Sequence, residues 1–401
     1  MKPKVVILGG AGAMGRITAR DLARTARGQV RVVSADRVAG SRIAGVERAT
    51  VDVSDPASLA RVLRGATAVI ASLPYRYNLE AMRGALRAGA HYVDLGGLFH
   101  VTRRQLQLAG AFRRRGLMAV LGMGSAPGIL NVMAVRGARG METVREVHCL
   151  VGAADRTRFR HAPPLGFGYA PDTLLDEFAM PSAVFRRGRF AMVPPLDPRE
   201  SITVRFPSPV GPLPVHSTLH SEVATLPLHF ADRGIREVTF RQGFDPVFMA
   251  RIEFLVGLGL IDTDPLQIRN GRRTARVSPR EVLLSLLRRF PPAAPVGRPW
   301  RYEVLRTVVR GRRDRRAVTV TCDCHAGPRA GWGIGPDIDT GAPPSIAVQL
   351  LLNGEIPLRP GVWSPEQVVP VEPFLRELKR RGMRVTVRTE ADRKRPKERR
   401  R

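Results

Sequence analysis

Lys4-Val-Val-Ile-Leu-Gly-Gly-Ala-Gly-Ala-Met-Gly15 is a run of β-formers ending in Gly10-x-Gly12-x-x-Gly15, and the helical pattern Ile17, Ala19, Leu22, Ala23 follows at once. Each glycine has a physical task in a dinucleotide site. Gly10 permits the tight turn, Gly12 leaves room for a pyrophosphate against the backbone, and Gly15 lets helix and strand pack closely. The free N–H groups of Ala11, Ala13 and Met14 at the helix start then face the phosphates. A GxGxxG is weak in isolation, but here it lies between strand and helix, the context that the motif requires.

Working outward, Gln29–Val33 reads as a second strand, and Asp36 follows it 21 residues after Gly15. A carboxylate at that distance accepts hydrogen bonds from the adenosine ribose and repels a 2′-phosphate, which favours NAD. Arg37 beside it keeps NADP admissible, and Asp36 also suits an ordinary acidic turn. Ala49–Val53 forms the next strand, adding Asp52 and Val53 to the cofactor set. Ser54-Asp55-Pro56 then opens a helix, with Ser or Asp as cap and Pro in the first turn. The apolar strand Ala68–Ser72 runs into Leu73-Pro74-Tyr75. Ser72, Leu73 and Pro74 are placed to touch the cofactor and Tyr75 the substrate, unless the loop matters only for its backbone shape. Asn78 is a site residue or the cap of the helix Asn78–Gly89. Strand His91–Asp94, the turn Leu95-Gly96-Gly97, helix Thr102–Gly116 and strand Met118–Leu121 complete a doubly wound α/β domain over residues 1–125.

The pattern changes at Ser125-Ala126-Pro127-Gly128. Residues 126–330 read as an inserted α+β substrate domain, with antiparallel strands at Ile202–Phe206, Glu237–Arg241, Arg301–Val309 and Ala317–Cys322. The last two flank the polar hairpin loop Gly311–Arg315. Ser278-Pro-Arg-Glu281 has the form of a capping box. Residues 331–390 return to helical periodicity at Ile346–Asn353 and Phe374–Arg381 and are expected to pack back on the first domain. The basic stretch 391–401 is expected to be disordered.

Composition narrows the class. No apolar run is long enough to span a bilayer, and no secretory leader pattern is present, so a soluble cytoplasmic protein is expected. Cys149, Cys322 and Cys324 are too few for a disulfide framework, and Cys322-Asp-Cys324-His325 lacks the second ligand pair that structural zinc needs. No metal is expected. The formal charge is +30, and since lysine occurs five times among 65 basic residues, 60 are arginine. They are scattered through every segment, which argues against nucleic acid as a partner; the excess helps to draw in an anionic cofactor.

Taken in order, Gly9–Gly15, His91–Gly97, Ala126-Pro127-Gly128 with Asn131, Tyr169–Phe178, His220-Ser221-Glu222 with Thr225-Leu226-Pro227, Thr340–Pro343 and Gly361–Glu366 resemble the saccharopine dehydrogenase/reductase-like superfamily, nearest its lysine 6-dehydrogenase branch. The resemblance spans the chain except its basic end. It implies a Rossmann domain, an inserted substrate and dimerisation domain, a homodimer, and NAD(P)-dependent hydride transfer at the C–N bond of an amino acid, by amine oxidation or imine reduction. Ala126 stands where the saccharopine reductase branch has aspartate, which argues against saccharopine as substrate. The alternatives are a saccharopine- or carboxynorspermidine-type imine reductase, and a non-catalytic homologue that senses NAD or binds nucleic acid.

Candidate chemistry follows from residue type. Asp94, at a strand end before two glycines, meets a substrate ammonium or cofactor hydroxyl, or else bonds the glycine turn. Gly124, Pro127, Gly128 and Asn131 should line the cleft, with Asn131 as a cap or facing substrate. His220 and Glu222, two apart on an expected strand, share a face and supply acid–base chemistry, or form a surface or dimer contact. His216, Asp172 and Glu177 accompany them.

Overall fold

The computed structural model describes residues 2–38, 40–161, 164–270, 273–291, 294–328 and 337–391; the basic stretch 392–401 lies outside them. The first part of the chain runs β1 (Lys4–Leu8), α1 (Ala13–Thr25), β2 (Arg31–Asp36), β3 (Val46–Thr50), α2 (Pro56–Leu63), β4 (Ala68–Ala71), α3 (Asn78–Ala88), β5 (His91–Asp94), α4 (Phe99–Leu106), α5 (Ala109–Arg114) and β6 (Met118–Val120). Asp55 caps α2 by accepting from the Ala57 and Ser58 amides, with Pro56 in the first turn. The single helix expected over 102–116 is two, broken at Gln107–Leu108. Strand β3 begins and ends three residues earlier than the sequence pattern suggests.

The second part runs α6 (Ile129–Gly137), β7 (Thr143–Asp155), α7 (Pro171–Ala179), β8 (Ser182–Arg186), β9 (Arg189–Val193), β10 (Ile202–Arg205), β11 (Pro212–Ser217), α8 (Glu222–His229), β12 (Glu237–Gly243), α9 (Pro246–Gly257), β13 (Leu266–Asn270), β14 (Arg273–Val277), α10 (Pro279–Leu287), β15 (Arg301–Arg313) and β16 (Arg316–Ala326). The return comprises α11 (Ile338–Gly341), α12 (Pro343–Leu352), β17 (Gly361–Trp363), α13 (Pro365–Val368), α14 (Val371–Arg380) and β18 (Arg384–Ala391).

Seven strands form one parallel sheet in the order β17-β6-β5-β4-β1-β2-β3. The order reverses between β1 and β4, so a crevice opens at their carboxyl ends. The second sheet follows the order β10-β11-β12-β7-β15-β16-β18, with β8 pairing β12 and β9 pairing β8. It is mixed rather than purely antiparallel, because β12 runs parallel to β7. The long strand β7 has no separate signal in the sequence: its alternation is blurred by burial on both faces at Cys149–Gly152. The proposed box at Ser278 starts α10 without a side-chain hydrogen bond.

The return visits both domains. β17 extends the parallel sheet beside β6, whereas β18 pairs with β16 in the second sheet. One hydrophobic core runs through the junction, joining Val5 and Ile7 of β1 to Met133 of α6 and to Cys149 and Leu305 of the second sheet. Cys322 and Cys324 are buried in that same core. Among the described residues no helix is long and apolar enough to cross a membrane.

The return is fastened by a buried ion pair. The Arg381 guanidinium donates to both oxygens of Asp21 on α1, at 2.8 and 2.9 Å, and to Glu377 at 2.7 Å. Asp21 and Arg381 are 0% and 2% exposed. Arg381→Ala leaves the Asp21 carboxylate buried with its cation gone, which is expected to cost about 3–5 kcal/mol. A urea titration should show a lower midpoint at unchanged slope, whereas Arg31→Ala, which removes an exposed pair with Glu47, should leave the midpoint in place.

Candidate active site

The glycine turn is shaped as its sequence demands. Gly12 is the extended N-cap of α1 and donates to the Gly9 carbonyl at 3.0 Å. A Cβ on Gly15 would collide with that carbonyl, which is why glycine is required there. The first turn of α1 carries no acidic side chain, and Gly12 and Ala13 are exposed, so the open amide groups and the helix dipole present a positive surface to an anion. Met14 lies behind it, its carbonyl accepting from Thr18.

Asp36 ends β2 with its carboxylate turned to this loop. Oδ2 accepts from the Ala11 amide at 3.2 Å and Oδ1 from the Arg37 amide at 2.7 Å. The Arg37 guanidinium reaches Asp52 at 3.0 Å. Asp36, Arg37, Asp52, Val53, Leu73 and Pro74 line one pocket, joined by Arg76 and Tyr77, which sequence reasoning missed. Two buried polar atoms beside it have no protein partner, Ser72 Oγ and Asn78 Oδ1. The phosphate-facing amides, the pocket next to Asp36 and these open donors and acceptors fit a dinucleotide. Asn78 is no cap: it lies within α3, and its Nδ2 donates to the Gly96 carbonyl at 3.0 Å.

Asp94 is not the open ligand that its place before two glycines led us to expect. It is fully buried, and its oxygens accept from the amides of Gly96 (3.0 Å) and Gly122 (2.7 Å) and from Gln105 Nε2 (2.7 Å). Burial raises its pKa while these donors oppose the rise. The carboxylate is a structural tie and has no face free for substrate. Gly124, Pro127, Gly128 and Asn131 are buried likewise, and the accessible residues of their loop are Ser125 and Ala126. Asn131 Oδ1 accepts from the Gly128 amide and its Nδ2 donates to Glu366 at 2.9 Å, so it holds the loop as a cap rather than facing substrate. Gly128, at φ +125°, takes a backbone that other residues rarely adopt.

The second domain contributes its groups mainly from α7. Adjacent Asp176 and Glu177 interrupt the apolar run Leu174, Leu175, Phe178, and both are buried. Asp176 accepts from the Tyr75 hydroxyl at 2.7 Å and is paired with Arg280 of α10, which connects the β4 loop to the second domain. Burial and then the Asp176 carboxylate push the Tyr75 hydroxyl above its ordinary pKa. The His100 ring stands edge-on to Tyr75 at 5.9 Å.

Glu177 accepts from the Tyr169 hydroxyl at 2.6 Å, and its other oxygen lies 3.9 Å from His220 Nε2. His220 Nδ1 is 2.7 Å from Glu222 Oε2, and the imidazole stacks on Phe240 at 3.8 Å. His220 and Glu222 therefore meet, but not on a strand: Glu222 opens α8 and His220 precedes it. Burial lowers the His220 pKa, Glu222 and Glu177 raise it, and the carboxylates win. Burial lifts Glu177 to about 7, against the pull of His220. Glu222 Oε1 is buried without a partner. His216 stands apart on Ser201, and Asp172 faces Arg76. Glu177 was among the candidates read from the sequence and Asp176 was not, although the acidic pair directly after Leu174 and Leu175 marks both.

Comparison with known proteins agrees with this architecture. Residues 5–120 match the saccharopine dehydrogenase NADP binding domain, and residues 124–383 the saccharopine dehydrogenase C-terminal domain. Over 359 residues the chain is 24% identical to carboxynorspermidine synthase of Vibrio cholerae, covering 84% of this chain and 82% of that protein. It is 22% identical over 343 residues to carboxyaminopropylagmatine dehydrogenase of Synechocystis sp., covering 82% and 81%. The fold superposes on saccharopine dehydrogenase (L-Glu forming) from Saccharomyces cerevisiae with a TM-score of 0.69, over 97% of this chain and 100% of that one, at 17% identity. The chain belongs to the saccharopine dehydrogenase family and is an NAD(P)-binding oxidoreductase of it.

Proposed function

We propose that the protein transfers a hydride between NAD(P) and the C–N bond of an amino-acid-derived amine, working toward reduction of an imine. The observation that carries this reading is His220 set between Glu222 and Glu177 at the junction of the two domains. The names of the sequence relatives, a synthase and a dehydrogenase, support it. Oxidation of the terminal amine of L-lysine is the same chemistry run backwards at the same groups.

The bound nicotinamide supplies or accepts the hydride. The remaining work is proton traffic. Glu222 fixes Nδ1 of His220, which leaves Nε2 toward Glu177. Glu177, with a pKa of about 7, holds a proton for the substrate nitrogen in reduction and takes it back in oxidation. Tyr169 orients that carboxyl, and Phe240 holds the imidazole ring in plane. The Tyr75–Asp176–Arg280 chain keeps the β4 loop against the second domain and shields the site from water.

We assign the protein to the cytoplasm, as its three free and buried cysteines suggest. We also assign it a homodimeric state. The supporting surface is the apolar face of α9, the β13–β14 hairpin and α10, where Phe254, Leu258, Leu266, Ile268 and Leu286 are exposed. Sedimentation should return about twice the chain mass; a monomer at micromolar concentration would refute the assignment.

Absorbance at 340 nm tests the reaction. L-Lysine, its shorter homologues and saccharopine are offered with NAD and with NADP, and imines made from amino-acid semialdehydes and amines with the reduced forms. Oxidation of the reduced dinucleotide by such an imine is expected; no change with any amine or imine would refute the reading. Glu177→Gln should lower kcat/KM by roughly 10²–10⁴-fold and remove the limb near pH 7 from the pH profile. The same substitution should alter stability. A carboxyl whose folded pKa exceeds its unfolded value of 4.5 stabilises the fold at low pH and loses that contribution as pH rises toward about 7. Melting temperature should therefore fall less between pH 5 and 8 in Glu177→Gln than in the native chain.

A further inference from the structure

We propose that the cavity between the carboxyl end of α6 and the start of α14 binds a phosphate ester. This ligand is neither the dinucleotide nor the reacting amine, and the site serves no step of the hydride transfer.

The cavity measures about 450 Å³, the size of a small-molecule site. Its lining shares no residue with the pocket beside Asp36. Arg136 enters from the last turn of α6, Arg139 from just past it, and Arg233 from the turn that follows α8. Glu372 of α14 is the one carboxylate among the described residues of the lining. It lies 3.2 Å from Arg139 and 3.7 Å from Arg136. The Glu372 and Arg139 side chains are 59% and 72% exposed, and a pair so open to water holds weakly. Arg233 has no carboxylate partner among the described residues. Its Nη2 donates to the carbonyls of Ala138 and Met141, at 2.8 and 2.6 Å, and its guanidinium stands over the Phe230 ring. Burial lowers its pKa with no acidic neighbour to oppose the fall. Three cations therefore share one carboxylate, a surplus of two positive charges on one wall.

A phosphate monoester answers that surplus. It carries about −1.5 to −2 charges at neutral pH and offers three acceptor oxygens. Guanidinium forks grip such a group through paired hydrogen bonds. The start of α14 has no side-chain cap, so its positive dipole end adds to the field. Val135, Ala138, Val371 and Pro373 supply apolar wall, and the volume leaves room for an organic body beyond the phosphate. An occupant would tie α14 to α6. Both lead back to the domain junction, where Asn131 of α6 holds Glu366 just before α14.

Calorimetry on the full chain saturated with dinucleotide, which fills the glycine turn, tests this with phenyl phosphate, inorganic phosphate and phenol. Phenyl phosphate should bind, inorganic phosphate about tenfold more weakly, and phenol not at all. Arg136→Ala combined with Arg139→Ala should weaken the ester by about tenfold or more. Glu372→Gln removes the internal rival and should strengthen it roughly threefold. Arg31→Ala, at an exposed arginine of the first domain, should change nothing. Phenyl phosphate should also raise the melting temperature of the native chain and not that of the double variant. Arg139→Ala alone carries the comparison if the double variant does not fold. No binding by the native chain overturns the proposal. So does binding that survives the arginine substitutions, which would mark only the general pull of a basic chain. Weaker binding by Glu372→Gln overturns it as well, and equal affinity for inorganic phosphate overturns the assignment to an ester.

Discussion

The Asp94 carboxylate is where three segments of the first domain are tied together. It bonds the turn after β5 through Gly96, the chain leaving β6 through Gly122, and α4 through Gln105. Gly96 and Gly122 close on either side of the Pro127 ring, and a side chain at either glycine would strike it. The Pro127 carbonyl in turn accepts from Gly124, which sets the loop that passes the chain into α6 and the second domain. Ser125 stands on that loop and Thr340 against it. A buried carboxylate filled by backbone donors thus fixes where the second domain sits over the dinucleotide crevice. Its burial is tolerable because nearly all of its acceptor capacity is used.

Much of this was legible in the residues, for reasons that differ between elements. Gly10, Gly12, Gly15 and Asp36 sit within one strand–turn–helix–strand unit, so local spacing is enough to place them. Asp52, Val53, Leu73 and Pro74 follow because strand ends of a parallel sheet converge on one edge. Asp94 illustrates the limit: a carboxylate before two glycines suits a ligand and a turn equally, and only its donors decide. His220 and Glu222 were paired on the assumption of a strand, yet they meet at a helix start, so the contact was right and its cause wrong.

The charge distribution has two levels that composition averages away. Arginines outnumber carboxylates overall, and many are spent on visible pairs such as Arg186 with Glu200 and Arg306 with Asp323. At the junction the balance inverts: Glu177 and Glu222 flank a single imidazole, that of His220. The outer excess offers long-range attraction to an anionic dinucleotide. The inner carboxyls act only over a few ångströms, where low dielectric strengthens each contact.

The path of residues 361–391, from β17 to β18, has a consequence for how the molecule is made. After β17 has closed one edge of the parallel sheet, α14 carries the chain back so that β18 can pair with β16. Neither sheet has its full set of strands until this last segment has left the ribosome. Synthesis at about 5–20 residues per second leaves the β6 and β16 edges uncovered for many seconds while the rest of the chain emerges. Those edges are the surfaces on which a nascent chain pairs with its neighbours, so the interval before β17 and β18 emerge is when this fold has most need of a chaperone.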